Sequence, residues 1–269
     1  MTTILSPAET YLKLSEISKS KSRSTVIKTF LLSCLAGIYI SYGCVLAISV
    51  GGQLPSLDKG LQKLLFGAFG LPFGLTLVMV TGAELFTGNT LVMTIGVLEK
   101  EVKISALLKN WIISYIGNIT GSAVLIGLVK LSDIFDDQTI ASDFVKSLAV
   151  AKTTKGFGIA FTRGILCNWL VCLAVWQATA SKTFIDKTFG IFWPIMAFVA
   201  IGFEHSVANM FLVPIGLLAD GNAVTFWSFL WKNLLPVTLG NIFAGSICVA
   251  LVYAICLGRF SEKIKNFQF

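Results

Sequence analysis

The sequence predicts an all-α polytopic membrane protein. Six transmembrane spans form two inverted three-span repeats, with the second and fifth helices broken. Three observations predict this. Of 269 residues, 55% are hydrophobic and 13% charged, with a mean hydropathy of +0.81, whereas a soluble domain carries about 25% charge. Six stretches are long and apolar enough to cross a bilayer, which takes about 20 residues each. The second half of the chain repeats the first in motifs as well as in hydropathy. The composition excludes a soluble globule and a disordered chain. All six cysteines (Cys34, Cys44, Cys167, Cys172, Cys248 and Cys256) sit in apolar runs, which excludes a disulfide-stapled secreted scaffold. A single histidine excludes any site built on two.

The elements follow in order. Residues 1–27 are polar and rich in Ser and Lys, so the first apolar run is not a cleaved signal peptide. Residues 5–27 can form a short amphipathic helix, with a place on the membrane surface as open to it as one off it. Spans are expected at about 28–50, 64–98 with an interruption, 104–130, 156–180, 190–219 with an interruption, and 229–258. Residues 28–258 then form one transmembrane domain, with repeats at about 28–130 and 156–258 and a tail at 259–269. Six spans place both termini on one side. That side carries 13 Lys and Arg: Lys13, Lys19, Lys21, Arg23, Lys28, Lys100, Lys103, Lys109, Lys182, Lys187, Arg259, Lys263 and Lys265. The other carries 7, namely Lys59, Lys63, Lys130, Lys146, Lys152, Lys155 and Lys232, beside Asp133, Asp136, Asp137 and Asp143. The positive-inside rule makes the termini side cytoplasmic, and the plasma (inner) membrane is the expected location. The charge of +7 fits membrane flanks and implies no nucleic-acid partner.

The second and fifth segments align at an offset of 120, Gly82-Ala83-Glu84-Leu85-Phe86-Thr87-Gly88-Asn89 facing Gly202-Phe203-Glu204-His205-Ser206-Val207-Ala208-Asn209. The third and sixth align at 123, through Lys109-Asn110 with Lys232-Asn233 and Gly117-Asn118-Ile119 with Gly240-Asn241-Ile242. The first and fourth align weakly at 127, through Gly37-Ile38 with Gly164-Ile165. An odd number of spans per copy inverts the second copy. Apolar helices share Leu, Ile and Gly by chance, but Gly-x-Glu-x4-Asn at matching places is not a chance pattern.

A glutamate at bilayer depth costs several kcal/mol unless it is paired. Glu84 and Glu204 therefore predict chain breaks, expected around 83–90 and 204–209, buried or hydrated as irregular backbone at that depth must be. The two carboxylates would accept freed backbone N–H groups, and Asn89 and Asn209 would tie the loop ends. Direct proton carriage by the glutamates is the lesser reading. His205 is different. A lone histidine is ordinarily a satisfied core residue, but at pathway depth an ionisable group is functional by default, and an imidazole exchanges protons near neutral pH. Thr87 either donates its hydroxyl to a bound anion or caps the break. Of the surrounding bulky residues, Leu71, Phe73, Leu75, Leu85, Phe86, Val171 and Phe198, a subset facing the axis would make constrictions that stop hydrated ions.

GAELFTGN (Gly82–Asn89), NWLVCLAVW (Asn168–Trp176), GFEHSVANMF (Gly202–Phe211), NLLPVTLGN (Asn233–Asn241) and Ser6-Pro7-Ala8-Glu9 together resemble the formate/nitrite transporter family over about residues 5 to 258. The resemblance implies a homopentamer with one pore per aquaporin-like protomer. It implies passage of small monovalent weak-acid anions such as formate, nitrite, hydrosulfide, acetate or lactate, with protons as the coupled partner. It makes His205 the central histidine and Thr87 the threonine facing it. Leu75, Leu85, Phe86, Val171 and Phe198 take constriction positions, Asn168 and Asn241 polar pore positions, and Lys152 the vestibule lysine. The chain departs from the family at Leu71, often Phe in members, and at Arg163, usually apolar.

The expectation is a channel or transporter, not an enzyme, with no cofactor and no metal. No Ser/His or Cys/His pair is suggested by spacing, and Cys167 and Cys172 are not a C-x-x-C pair. An aquaporin-type neutral-solute pore would carry Asn-Pro-Ala in each half, whereas here the asparagines precede Thr90-Leu91 and Met210-Phe211. A purely structural scaffold would need no glutamate at depth in each half.

Overall fold

The computed structural model describes residues 4–54, 58–135, 140–220, 225–259 and 261. Asp136, Asp137, Lys263 and Lys265 of the charge tally, and all of the 259–269 tail except Arg259 and Ser261, lie outside these residues.

The described residues are mostly helical. It opens on α1 (Pro7–Ser22), which starts at a capping box. The Ser6 hydroxyl accepts the Glu9 N–H, and the Glu9 carboxylate accepts the Ser6 N–H at 2.8 Å. Two donors left over by the first turn are thereby satisfied. Next come α2 (Val26–Gly51), α3 (Lys59–Ala68), α4 (Leu71–Thr81), α5 (Phe86–Leu98) and α6 (Ile104–Leu131). The second half holds α7 (Ile140–Thr153), α8 (Phe157–Ala180), α9 (Phe184–Ile201), α10 (Ser206–Asp220) and α11 (Phe226–Leu257). Six stretches are long and apolar enough to cross a membrane: α2, the joined α3–α4 run Lys59–Thr81, α6, α8, α9 and α11. The helices α5 and α10 are shorter apolar pieces that follow the breaks.

Two features go beyond the sequence reading. The joint between α3 and α4 falls at Phe69-Gly70, where Pro72 opens α4 and a side chain at Gly70 would strike Ala47 and the Gly43 carbonyl. Within α11, Phe229–Leu234 and Ala244–Leu251 adopt wide π turns.

The inverted repeat is explicit in the packing. α2 packs on α6 and α4, and α8 packs on α11 and α9; α1 lies on α5, and α7 on α10. Each repeat thus has an extra leading helix, α1 or α7. Within residues 5–27, α1 buries one face against the bundle. Tyr11 and Leu14 of α1 are wholly buried, in a cluster with Leu91, Ile95, Cys172 and Val175.

The packing also corrects the pairing of the first and fourth spans. Gly117 of α6 meets the Phe30 carbonyl, Ser33 and Cys34; its counterpart Gly240 of α11 meets the Phe161 carbonyl, Gly164 and Ile165. These partners stand 131 residues apart, not 127. A slip of four residues is close to one helical turn and keeps the same face. Small residues match almost equally well in either register, so only the contacts between spans fix it.

Candidate functional site

The site is built on the two breaks. α4 ends at Gly82 (φ 75°) and α9 at Gly202 (φ 91°), both in the left-handed region that only glycine enters cheaply. After three intervening residues the helices resume at Phe86 and Ser206. The breaks are therefore shorter and earlier than the expected 83–90 and 204–209. Asn89 and Asn209 lie inside α5 and α10, each the fourth residue of its helix.

Both breaks are held by the same set of bonds. The Glu84 N–H donates to the Leu32 carbonyl at 3.1 Å, and the Glu204 N–H to the Arg163 carbonyl at 3.3 Å. Asn118 Oδ1 accepts the Phe86 N–H at 3.0 Å, while its Nδ2 donates to the carbonyls of Ser33 and Glu84. Asn241 repeats this, accepting the Ser206 N–H at 2.9 Å and donating to the carbonyls of Gly164 and Glu204. Freed backbone groups at this depth must find partners within the protein, and these two amides supply them. Asn241 was expected to present a polar group to the pathway, but every polar atom of its side chain is engaged by the break. Asn118 is its equal and was not singled out from sequence.

The carboxylates take side chains, not the expected backbone N–H groups. Glu84 accepts Asn89 at 2.8 Å, Asn110 at 3.5 Å and the Lys21 ammonium at 2.7 Å. Glu204 accepts Asn209 at 2.8 Å, Asn233 at 3.3 Å and the Lys152 ammonium at 2.9 Å, with Lys155 at 3.5 Å. Lys21 and Lys152 are equivalents at the 131-residue spacing. The sequence reading named Lys152 and missed Lys21. No local motif marks Lys21, which sits in a run of terminal lysines. Asn110, Asn118 and Asn233, by contrast, lay inside the aligned motifs.

Between the breaks lies a narrow cell walled by Ile40, Leu71, Leu75, Leu85, Val171, Ile195, Phe198 and His205, with about 10 Å³ free, room for about one water molecule. It gathers five of the six expected constriction residues. Phe86 is the exception. It turns the other way, packing edge-on against Trp111 (6.3 Å) and Tyr115 (4.9 Å) on the wall of an outward-facing apolar groove. Leu85 and Phe86 straddle the start of α5, so neighbours in sequence face opposite directions. Phe73, another bulky candidate, is about half exposed on the outer face of α4. Leu85 also lines a larger vestibule of about 200 Å³ with Leu14, Ile17, Lys21, Ala83 and Thr179. It is therefore the partition between vestibule and cell.

His205 closes the cell from the second repeat, at the place Leu85 holds in the first. Its Nδ1 accepts the Ala208 N–H at 3.0 Å, so the ring proton sits on Nε2, 2.9 Å from the Thr87 hydroxyl oxygen. The ring is thus neutral, donates to Thr87, and is covered by Phe198 with ring centres 5.9 Å apart. Because Thr87 accepts from the imidazole, its own O–H is left to donate. Asn168 lies beside this pair. Its Nδ2 donates to the Asn241 carbonyl at 2.7 Å, Thr90 Oγ1 at 3.0 Å and the Thr87 carbonyl at 3.3 Å. Its role there is to fix the α5 turn that carries Thr87.

An apolar cell with one neutral hydrogen-bonding pair, flanked at each break by a lysine paired to a buried glutamate, has the make-up of a passage for a small solute. The comparisons with known proteins agree with this architecture. A model of the formate/nitrite transporter family matches residues 8–255. The chain belongs to the formate/nitrite transporter family. Among relatives in this family, it is 44% identical over 264 residues to a probable formate transporter of Methanothermobacter thermautotrophicus, covering 92% of this chain and 95% of that protein. It is 33% identical over 270 residues to the formate channel FocA of Escherichia coli, covering 93% of each. Of solved structures, a formate/nitrite transporter family ion channel aligns at a TM-score of 0.85 with 32% identity, over 92% of this chain and 98% of that one. A pentameric formate channel with formate bound aligns at 0.76 with 33% identity, over 86% and 97%.

Proposed function

We propose that this protein passes formate, and more generally small monovalent weak-acid anions, across the plasma (inner) membrane as a homopentamer with both termini cytoplasmic, without enzymatic activity. The relatives named as formate transporters and channels support the substrate, and the pentameric neighbour supports the assembly. The observation that carries the mechanism is the neutral His205–Thr87 pair inside a cell with no room for a hydrated ion.

A bare anion in such a cell faces a Born cost of tens of kcal/mol at the extreme. Neutralisation avoids it. The positive ends of α5 and α10, which start at the breaks, draw anions there, while Lys21 and Lys152 offset the charges of Glu84 and Glu204. In the desolvating zone the neutral form of the substrate gains ground. The carboxylate takes one proton from vestibule water, crosses as the neutral acid with the Thr87 O–H donating to its oxygen, and returns the proton on the far side. His205 is not the proton source, because a neutral imidazole that gave up its N–H would leave an imidazolate anion in an apolar cell. Hydrosulfide, acetate and lactate obey the same chemistry and are the alternatives as physiological substrate. A neutral-solute pore of the aquaporin type is the remaining one.

The test is initial flux into proteoliposomes of formate, nitrite, hydrosulfide, acetate and lactate at two external pH values. Formate flux that rises on external acidification is expected, and His205→Asn, which retains a side-chain donor, should keep that rise. Flux that follows membrane potential and ignores the proton gradient would replace this mechanism with an electrogenic channel. Loss of the acid response in His205→Asn would route the proton through the ring.

A further inference from the structure

The two breaks differ in charge although they share their hydrogen bonds. At the first, Glu84 faces one ammonium, Lys21. At the second, Glu204 is shared by Lys152 and Lys155, and Arg163 adds a third cation. Only a 3.4 Å bond to the Gly202 carbonyl is formed by the Arg163 guanidinium among the described residues. At the 131-residue spacing, the counterparts of Lys155 and Arg163 are Ser24 and Leu32. The α1 side has its own further cation in Arg23, but that side chain is exposed and acts on the Glu101 carboxylate, so cations in excess around the glutamate of the break itself are specific to the second mouth. Lys155 is drawn in, its side chain 16% exposed, and its Nζ also donates to the Ala151 carbonyl. Burial pushes the Lys155 ammonium below the usual lysine range; Glu204 opposes this, and the fields of Lys152 and Arg163 add to it. A guanidinium with most of its fork unused presents planar paired donors, the geometry that suits a carboxylate or another oxyanion.

We propose that Lys155 and Arg163 form an oxyanion-binding station at the mouth opposite α1, ahead of Lys152, which the other mouth lacks. The inference rests on the anion-passage reading above. A monovalent carboxylate held there moves on toward the cell. A divalent oxyanion matches the excess charge better, cannot be neutralised by one proton, and so occupies the station without passing. The protein then has a one-sided competitive inhibitor in anions such as sulfate.

The experiment is formate uptake into proteoliposomes at low ionic strength, with orientation scored by protease access to an N-terminal tag and sulfate added to one face at a time. In the wild type, sulfate on the Lys155 face raises the half-saturation concentration for formate, and sulfate on the α1 face does so far less. Lys155→Ser with Arg163→Leu, which copies the first repeat, weakens the Lys155-face competition on the order of tenfold and leaves the α1 face as it was. Lys155→Arg alone, which keeps both charges and the Arg163 fork, retains the block. Competition unchanged in the neutral pair, lost equally from both faces, or lost in Lys155→Arg overturns the proposal. A wild type that carries no formate at all sinks the functional reading, whereas formate flux indifferent to sulfate sinks only the station.

Discussion

Leu85 and His205 occupy equivalent places in the two repeats, and this pair sets the character of the pathway. Leu85 divides vestibule from cell. Leu85→Ala should therefore join the two spaces, raising formate flux several-fold and letting water through, as stopped-flow light scattering on proteoliposomes would register. Asn118 and Asn241 are the residues on which the breaks depend. Asn118→Ala or Asn241→Ala takes the partner from the first N–H of α5 or α10 and from the Glu84 or Glu204 carbonyl, at about 1–3 kcal/mol for each group left unsatisfied. Both variants should lower the thermal unfolding midpoint in detergent together with flux; an unchanged midpoint would show that the breaks hold without them. At this scale the sequence was uneven. The glutamates and their asparagines stood out because polar residues recurred at one spacing in apolar segments. Phe86 could not be told from Leu85, since adjacent residues separate only once the first residue of α5 is known. Lys21 reaches Glu84 from a helix more than sixty residues earlier, a contact that no local pattern encodes.

Helix ends decide where the polar groups of the breaks point. Gly82 and Gly202 hold left-handed backbone in open space, so a side chain there meets no clash and costs only the backbone strain of about 1–2 kcal/mol. Gly82→Ala should lower the unfolding midpoint and Gly82→Asn less, because Asn tolerates this region better. The presence of six spans and of two breaks was legible from hydropathy and from the buried glutamates. Their edges were not, because the restart of a helix depends on which amide caps it, and Asn118 and Asn241 come from other spans. The α1 helix was harder still. Its buried face is short, and its attachment is polar. The Tyr11 hydroxyl donates to Glu99 at 2.6 Å, Lys19 pairs with Glu101 at 2.6 Å, and Lys21 with Glu84. The hydrogen bond from Lys19 and its charge hold the Glu101 carboxyl below the usual carboxylate range. A depressed carboxyl stabilises the docked helix above its ordinary range and loses that contribution as pH falls through its own. Amide exchange of α1 should therefore quicken, relative to its intrinsic rate, as pH is taken well below the ordinary carboxylate range toward about 3, and Tyr11→Phe should quicken it at neutral pH.

Across the whole molecule the two halves share a scaffold but not a lining. The vestibule beside α1 is walled by Val78, Ala83 and Gly88, whose counterparts at the offset of 120 are the larger Phe198, Phe203 and Ala208. The open side is open because its residues are small. Ala83→Phe, which copies the second half, should fill the vestibule and cut formate flux by at least about tenfold from either direction, since a single pathway is throttled alike both ways. The inverted architecture itself was readable from the paired motifs. The register of the first and fourth spans was not, because only the α2–α6 and α8–α11 contacts distinguish one helical turn from the next.

The equivalence of Leu85 with His205, and of Thr87 with Val207, has an engineering consequence. A tube whose two halves are one template inverted has no inherent front or back; its polarity is written in a few interchangeable side chains. Exchanging the members of both pairs would carry the hydrogen-bonding pair to the opposite bank of the cell, with the Asn118 and Asn241 bonds of each break kept and the helix N–H bonded to the imidazole changed from Ala208 to Gly88. The product should reverse the order in which a solute meets the apolar and the hydrogen-bonding wall, while the wide vestibule and the cations around Glu204 stay where they are.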